Sequence, residues 1–226
     1  MSVPSRFQAV AWDIDGTLVD SEPLHHHALL AASLEFGADL SELPDMAFRG
    51  IHMGDVWKLL EGRLPPALEE EEWMEAINRH YVGARHTLVP MPGAVETIHT
   101  LKALGVHQVC VSNSCRAIVD ANLDALGLAS FIDFSISLDD VSEGKPSPIP
   151  YRTAANRLGL KPHTIVAVED SSTGLRSAKA AGLRTVFLRT DDKTGQTHQH
   201  DSLPDVTIDD LFFVCRFFDA EGALCP

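Results

Sequence analysis

Two carboxylates stand two residues apart in Asp13-Ile14-Asp15-Gly16-Thr17, directly after the apolar run Ala9-Val10-Ala11-Trp12. The run reads as a buried strand and Gly16-Thr17 as a turn. Acids crowded at a strand end repel one another, an arrangement that usually exists for a cation or a proton transfer. One carboxylate can serve as a nucleophile and the other as an acid or base. An acidic turn without chemistry is the competing reading of this stretch taken alone.

Further along the chain, polar residues again follow apolar runs. Ser112-Asn113-Ser114 follows the run ending at Val111, and Glu169-Asp170-Ser171-Ser172 follows the run ending at Val168. Lys145, in Glu143-Gly144-Lys145-Pro146, comes after an expected strand near Ile136. Ligands of a doubly wound sheet bind beyond the carboxyl ends of its strands, so these groups are expected to converge. Asp13, Asp15, Glu169 and Asp170 together bring up to four negative charges against the one positive charge of Lys145. That deficit calls for a hard divalent cation with oxygen ligands, and Mg²⁺ is the natural choice. Ser112, the amide of Asn113 and Lys145 would then cradle a phosphoryl group, with Gly16 and Thr17 as further candidate substrate contacts. Taken singly, Lys145 could be a surface lysine and Ser112 a turn serine. The ordered set, each member after a predicted strand, carries the inference.

The elements that must position these residues alternate. After residue 93 the pattern predicts helices over 94–104, 116–126, 149–158 and 173–181. Strands are predicted over 108–111, 134–137, 164–168 and 185–188. Short apolar strands alternating with amphipathic helices mean a parallel sheet covered on both faces. The fold class is therefore α/β, a doubly wound parallel sheet with a Rossmann-like core. Residues 21–89 show helix signals and no convincing strand. Pro23 suits a first helical position, Leu24, Ala28, Ala31 and Leu34 share a face, and a longer helix is predicted over 67–85. The predicted domains are an α/β core of residues 1–18 and 90–226 and an inserted α-helical cap of residues 19–89. Residues 209–218 read as a capped helix packed against the sheet.

The chain has 226 residues, 45% of them hydrophobic, enough for a sizeable core. Its net charge of −14 argues against a nucleic-acid partner, which needs a basic surface. A small anion, which sees local charge, stays allowed. No apolar run is long enough for a bilayer, and Met1–Gln8 lacks the apolar segment of a signal peptide. The four cysteines lack CxxC spacing, which fits a reducing cytoplasm. Cys110 reads as core and Cys115 as a small side chain in a first helical turn. A monomer is the expected state.

Asp13-x-Asp15-Gly16-Thr17, Val111-Ser112-Asn113, Gly144-Lys145-Pro146 and Glu169-Asp170-Ser171-x-x-Gly174 resemble, in order, the four motifs of the haloacid dehalogenase superfamily. The longer stretch from Asp15 to His25 resembles the branch with a helical cap after the first motif, which includes β-phosphoglucomutase and sugar-phosphate phosphatases. The resemblance implies that Asp13 attacks phosphorus and becomes an aspartyl-phosphate. It implies that Asp15 protonates the leaving oxygen, then deprotonates water, and lends its backbone carbonyl to Mg²⁺. Asp170 would be a direct metal ligand and Glu169 a direct or water-bridged one, while Ser112 and Lys145 hold the phosphoryl group. An aspartate at position 15 points away from dehalogenation, whose first step needs no acid for an alkoxide leaving group. Asp192-Lys193-Thr194-Gly195 resembles an ion-pump motif and is read as a loop coincidence.

By the same resemblance Glu22 and His25, where the cap begins, contact substrate or help to position Asp15; exposed polar positions on a helix are the competing reading. Phe48-Arg49-Gly50-Ile51-His52-Met53 resembles the specificity loop, with Arg49 a candidate substrate contact. Met53 stands where mutases of the branch carry an arginine, and a mutase must grip a second phosphate. The expected activity is therefore Mg²⁺-dependent hydrolysis of a small phosphate ester, of the sugar-phosphate class by resemblance. A phosphomutase, in which Arg49 or Lys58 compensates, and a non-catalytic phosphate-binding module are the alternatives.

Overall fold

The computed structural model describes residues 7–44, 47–48, 51, 53–189 and 204–219. The chain divides into two compact units, one of Met1–Asp20 with Val89–Pro226 and one of Ser21–Leu88.

The first unit is built on six parallel strands: β1 Ala9–Trp12, β4 His107–Val111, β5 Phe134–Ile136, β6 Ile165–Glu169, β7 Arg184–Leu188 and β8 Val206–Ile208. A two-residue antiparallel pair, β2 Val19–Asp20 with β3 Val89–Pro90, belongs to the same unit. The sheet order is β5-β4-β1-β6-β7-β8. The chain thus builds outward from β1 in both directions, and the switch point lies at β1. Strands buried on both faces read as unbroken apolar runs, and all four residues of β1 are buried.

Side chains alternate across the sheet. Ala9, Ala11, Val109 and Val111 join Tyr151, Ala154 and Ala178 in one core layer. Those three come from α6 Ile149–Leu158 and α7 Ser172–Ala181. On the other face Trp12 donates its indole N–H to Gln108 Oε1 at 3.2 Å. Gln108 in turn donates to the Ile98 carbonyl at 2.9 Å, which ties α4 Ala94–Ala103 to that face. A buried amide costs stability unless matched, and here both of its ends are used.

Register decides where the polar strand ends fall. Trp12 lies beside Cys110 on β4 and beside Val168 on β6. One step on come Asp13 and Glu169; a second step brings Ser112 and Asp170. Four groups far apart in sequence therefore leave the sheet at one edge.

Residues 209–218 do not form the α-helix expected of them. Leu211–Phe217 is a 3-10 helix, with Asp210 accepting from the Phe212 amide at 2.8 Å. It packs on α4. A three-residue period buries Leu211 and Val214 and leaves Phe212 and Phe213 exposed.

The second unit contains α1 Glu22–Glu35, α2 Met53–Leu60 and α3 Glu70–Gly83. Pro23 sits in the first turn of α1, and Glu70, Glu71 and Glu72 open α3, favoured by the helix dipole. The apolar face of α1 departs from the expected one. Leu24 and Ala28 are buried, but Leu34 is 62% exposed and Ala31 only half-buried. The seam runs instead through Ala32 and Ser33, because the Trp73 indole on α3 donates to Ser33 Oγ at 3.0 Å. A serine that matches a buried N–H thus occupies the place that apolar counting assigns to leucine. No helix among the described residues is long and apolar enough to cross a membrane.

Candidate active site

Asp13 follows β1, and its amide donates to the Val168 carbonyl at 3.0 Å, extending the β1–β6 ladder. Lys145 Nζ lies 2.6 Å from Asp13 Oδ1 and 2.7 Å from Glu169 Oε1. The ammonium is buried between two carboxylates, and Asn113 holds its backbone in place. Asn113 Oδ1 accepts from the Lys145 amide at 2.7 Å, and Asn113 Nδ2 donates to the Lys145 carbonyl at 2.9 Å. A Cβ on Gly144 would meet Asn113 Oδ1 at 2.7 Å, so the lysine loop reaches this clamp through a glycine. The Asn113 side chain thereby positions Lys145.

Glu169 is fully buried. It also accepts from the Tyr151 hydroxyl and, at 3.3 Å, from Ser171 Oγ. A Cβ on Gly174 would lie 1.8 Å from Glu169 Oε2, so only glycine leaves room there for this carboxylate. Asp170 accepts from the hydroxyl of buried Thr17 at 3.4 Å. Gly16 turns the chain with φ of 81°, and a Cβ there would meet Asp170 Oδ2 at 2.1 Å. Two glycines thus clear space around the acids at the end of β6.

Asp13, Glu169 and Asp170 each offer a carboxylate oxygen, all within 4.8 Å of one another. Three acids share one ammonium, and the electrostatics follow from that shortfall. Burial pushes the Asp13 carboxyl well above its ordinary range; Lys145 opposes this, and Glu169 and Asp170 add to it. Burial and the charge of Glu169 raise Asp170 to about 7. Burial would lower Lys145, but Asp13 and Glu169 outweigh it and hold the ammonium above the ordinary lysine range. Burial and Glu169 push Tyr151 well up, so it stays a neutral donor. The donor set fits a hard divalent cation: carboxylate oxygens only, net negative, with room kept by glycines. Asp13, Glu169 and Asp170 could hold a metal ion there.

Asp15 lies in different surroundings. Its Oδ2 accepts from Ser114 Oγ at 2.9 Å and from Ser112 Oγ at 3.3 Å. Its Oδ1 accepts from Asn122 Nδ2 at 3.1 Å. The Asp15 carboxylate is not in the three-acid cluster; its expected share in metal binding was through the backbone carbonyl.

The haloacid dehalogenase-like hydrolase family model matches residues 7–182, which contain every core residue above. The chain belongs to that family. Hexitol phosphatase B of Escherichia coli (strain K12) is 32% identical over 192 residues, covering 83% of this chain and 86% of that protein. Fructose-1-phosphate phosphatase YqaB of the same strain is 28% identical over 192 residues, covering 81% of this chain and 97% of the relative. CbbY of Rhodobacter sphaeroides, solved in complex with phosphate, superposes with a TM-score of 0.83 at 26% identity, covering 94% of this chain and 99% of that one. With phosphatases among its relatives, this haloacid dehalogenase-like hydrolase is a phosphoric monoester hydrolase.

Within this haloacid dehalogenase-like core the structure brings together Asp13, Lys145, Glu169 and Asp170, with Gly16 and Thr17 against Asp170 and Ser112 against Asp15. Glu22 and His25 lie in the helical unit, on α1, where the His25 ring lies against Tyr81 with centroids 4.5 Å apart and planes tilted by 38°. Arg49, and the 192–195 segment, lie outside the described residues. Sequence reasoning missed Ser114, Asn122 and Tyr151 as site residues. Ser114 stood inside a quoted motif without a role. Asn122 gave one signal, a polar residue on the helix face that carries Ile118 and Val119. Tyr151 gave none, since an aromatic at the start of a helix reads as core.

Proposed function

We propose that the protein is a Mg²⁺-dependent phosphatase that hydrolyses a small phosphate monoester of the sugar or polyol class. The observation that carries this reading is the separation of two neighbouring aspartates. Asp13 sits in a charged, acid-rich cluster, and Asp15 accepts from the Ser112 and Ser114 hydroxyls and the Asn122 amide. Two titratable groups in opposed environments are how an active site divides nucleophile from acid and base. The names of the relatives support the substrate class.

In this reading Asp13 attacks phosphorus, the ester P–O bond breaks, and Asp15 gives its proton to the departing oxygen. Water then attacks the aspartyl-phosphate and loses a proton to Asp15, and the P–O bond to Asp13 breaks. Asp13, Glu169 and Asp170, with the Asp15 carbonyl, would hold Mg²⁺, which supplies charge stabilisation for the phosphoryl oxygens. Lys145 and Ser112 bind the phosphoryl group beside Asp13. Glu22, His25 and Arg49 are assigned to substrate contacts by family resemblance.

The test is phosphate release from a panel of sugar and polyol phosphates, with Mg²⁺ and after its removal by a chelator. Metal-dependent release from members of that panel is expected. Turnover that survives chelation, or isomerisation outpacing release when a bisphosphate primer is added, overturns the reading.

A further inference from the structure

Asn122 is fully buried on α5 Arg116–Ala125, among Ile118, Val119 and Leu123. Burying a carboxamide costs free energy unless its polar atoms are matched, and an apolar residue would fill the position without that burden. The Asn122 amide nitrogen donates to Asp15 across 107 residues of sequence. A helix that otherwise serves the core thus supplies a polar group to one oxygen of one carboxylate.

Three of the groups around Asp15 share one chemistry. Ser112, Ser114 and Asn122 are neutral, and each can either donate or accept. A hydroxyl rotates its proton, and a carboxamide turned about its last bond offers oxygen in place of nitrogen. Lys145, beside Asp13, can only donate. A residue that gives up a proton and takes one back in each turnover needs neighbours that match both of its states. The three around Asp15 do so without adding charge to a site that already holds three acids.

We infer that Asn122 is a positioning residue for proton transfer: it grips the oxygen of Asp15 opposite the two serines and fixes the direction in which the carboxyl delivers its proton. This rests on the reading of Asp15 as acid and base. Ser112 and Ser114 both bind Oδ2. The Asn122 bond engages the other oxygen, Oδ1, so the carboxyl is held at both ends.

The experiment compares kcat/KM for fructose 1-phosphate, whose alkoxide needs a proton, with p-nitrophenyl phosphate, whose nitrophenolate leaves without one. This constant covers the steps through transfer to Asp13 and excludes the later hydrolysis. Asp15→Asn is the control. It is expected to lower the alkyl ester by about 10²-fold or more relative to the aryl ester, and an unchanged ratio there overturns the acid role of Asp15 itself. Asn122→Leu keeps the volume and removes the donor. It is expected to lower the alkyl-to-aryl ratio about tenfold, the effect of one hydrogen bond to a charged group. Asn122→Asp keeps the shape and replaces the donor by a second acid, so the same selective loss is expected if the leucine variant does not fold. If Asp15→Asn moves the ratio and both Asn122 variants leave it at the wild-type value, even with both rates reduced, Asn122 is structural only and the inference fails.

Discussion

Asp13 and Asp15 are separated by one residue and share almost nothing else. Asp13 leaves the sheet beside an ammonium and two further acids, and Asp15 turns away beneath two hydroxyls and an amide. The division is made by the backbone. Ile14 is buried between them, and its carbonyl accepts from both Leu18 and Val19, closing a tight turn through Gly16. Residues two apart on a straight strand face the same way, so the turn is what gives the two carboxylates different neighbours. Sequence proximity is thereby decoupled from electrostatic environment, and each acid can be tuned alone.

The harshest way to break this comparison is at Asp13. Asp13→Asn removes the nucleophile, and phosphate release from any ester is expected to fall by at least about 10³-fold. Because the substitution also removes one of three crowded acids, the protein should not lose stability. Its thermal midpoint is expected to stay within about 3 °C of wild type or to rise. Residual turnover near the wild-type rate would remove Asp13 from the mechanism.

Lys145 tests the charged side of the comparison through stability. Lys145→Met leaves Asp13 and Glu169 buried without their shared cation, and breaking a buried pair in this way costs about 3–5 kcal/mol. For a chain of this size that corresponds to a fall of roughly 10 °C in the thermal midpoint. Adding Glu169→Gln should recover part of the loss, since it removes one of the stranded charges. Asp15→Asn, on the neutral side, leaves donors that an amide oxygen can still accept from, and is expected to cost about 1 kcal/mol or less. Equal losses for Lys145→Met and Asp15→Asn in urea unfolding would show that the two environments do not differ as described.

The charged half of the site was legible in the sequence, as were Asp15 and Ser112, but Ser114 and Asn122 on the neutral side were not, for a physical reason. Asp13, Lys145, Glu169 and Asp170 interrupt or follow apolar runs, and a charge beside a buried strand is visible without coordinates. Pro148 and Gly159 likewise bracket α6, whose limits Ile149–Leu158 match the expected helix to the residue. Asn122 and Tyr151 lie on helices, where a single polar atom aimed at the site is hidden among apolar neighbours. The face of α1 was misread because its partner, Trp73, lies 40 residues away and selects Ser33 through one hydrogen bond. The strand β8 Val206–Ile208 escaped because three residues at a sheet edge carry too short a pattern to see.

Ser114 allows the smallest test and sharpens the neutral side most. Ser114→Ala deletes the shorter of the two bonds to Asp15 Oδ2, 2.9 Å against 3.3 Å for Ser112. Ser112 Oγ also accepts from the Ser114 amide at 3.0 Å, a backbone contact that the substitution leaves intact. The carboxylate thus keeps Ser112 on Oδ2 and Asn122 on Oδ1. A loss of about 0.5–1.5 kcal/mol in stability is expected, with the alkyl-to-aryl ratio of kcat/KM nearly unchanged. A ratio that falls as far as in Asn122→Leu would mean that total donor strength around Asp15, and not the grip on its second oxygen, governs proton delivery.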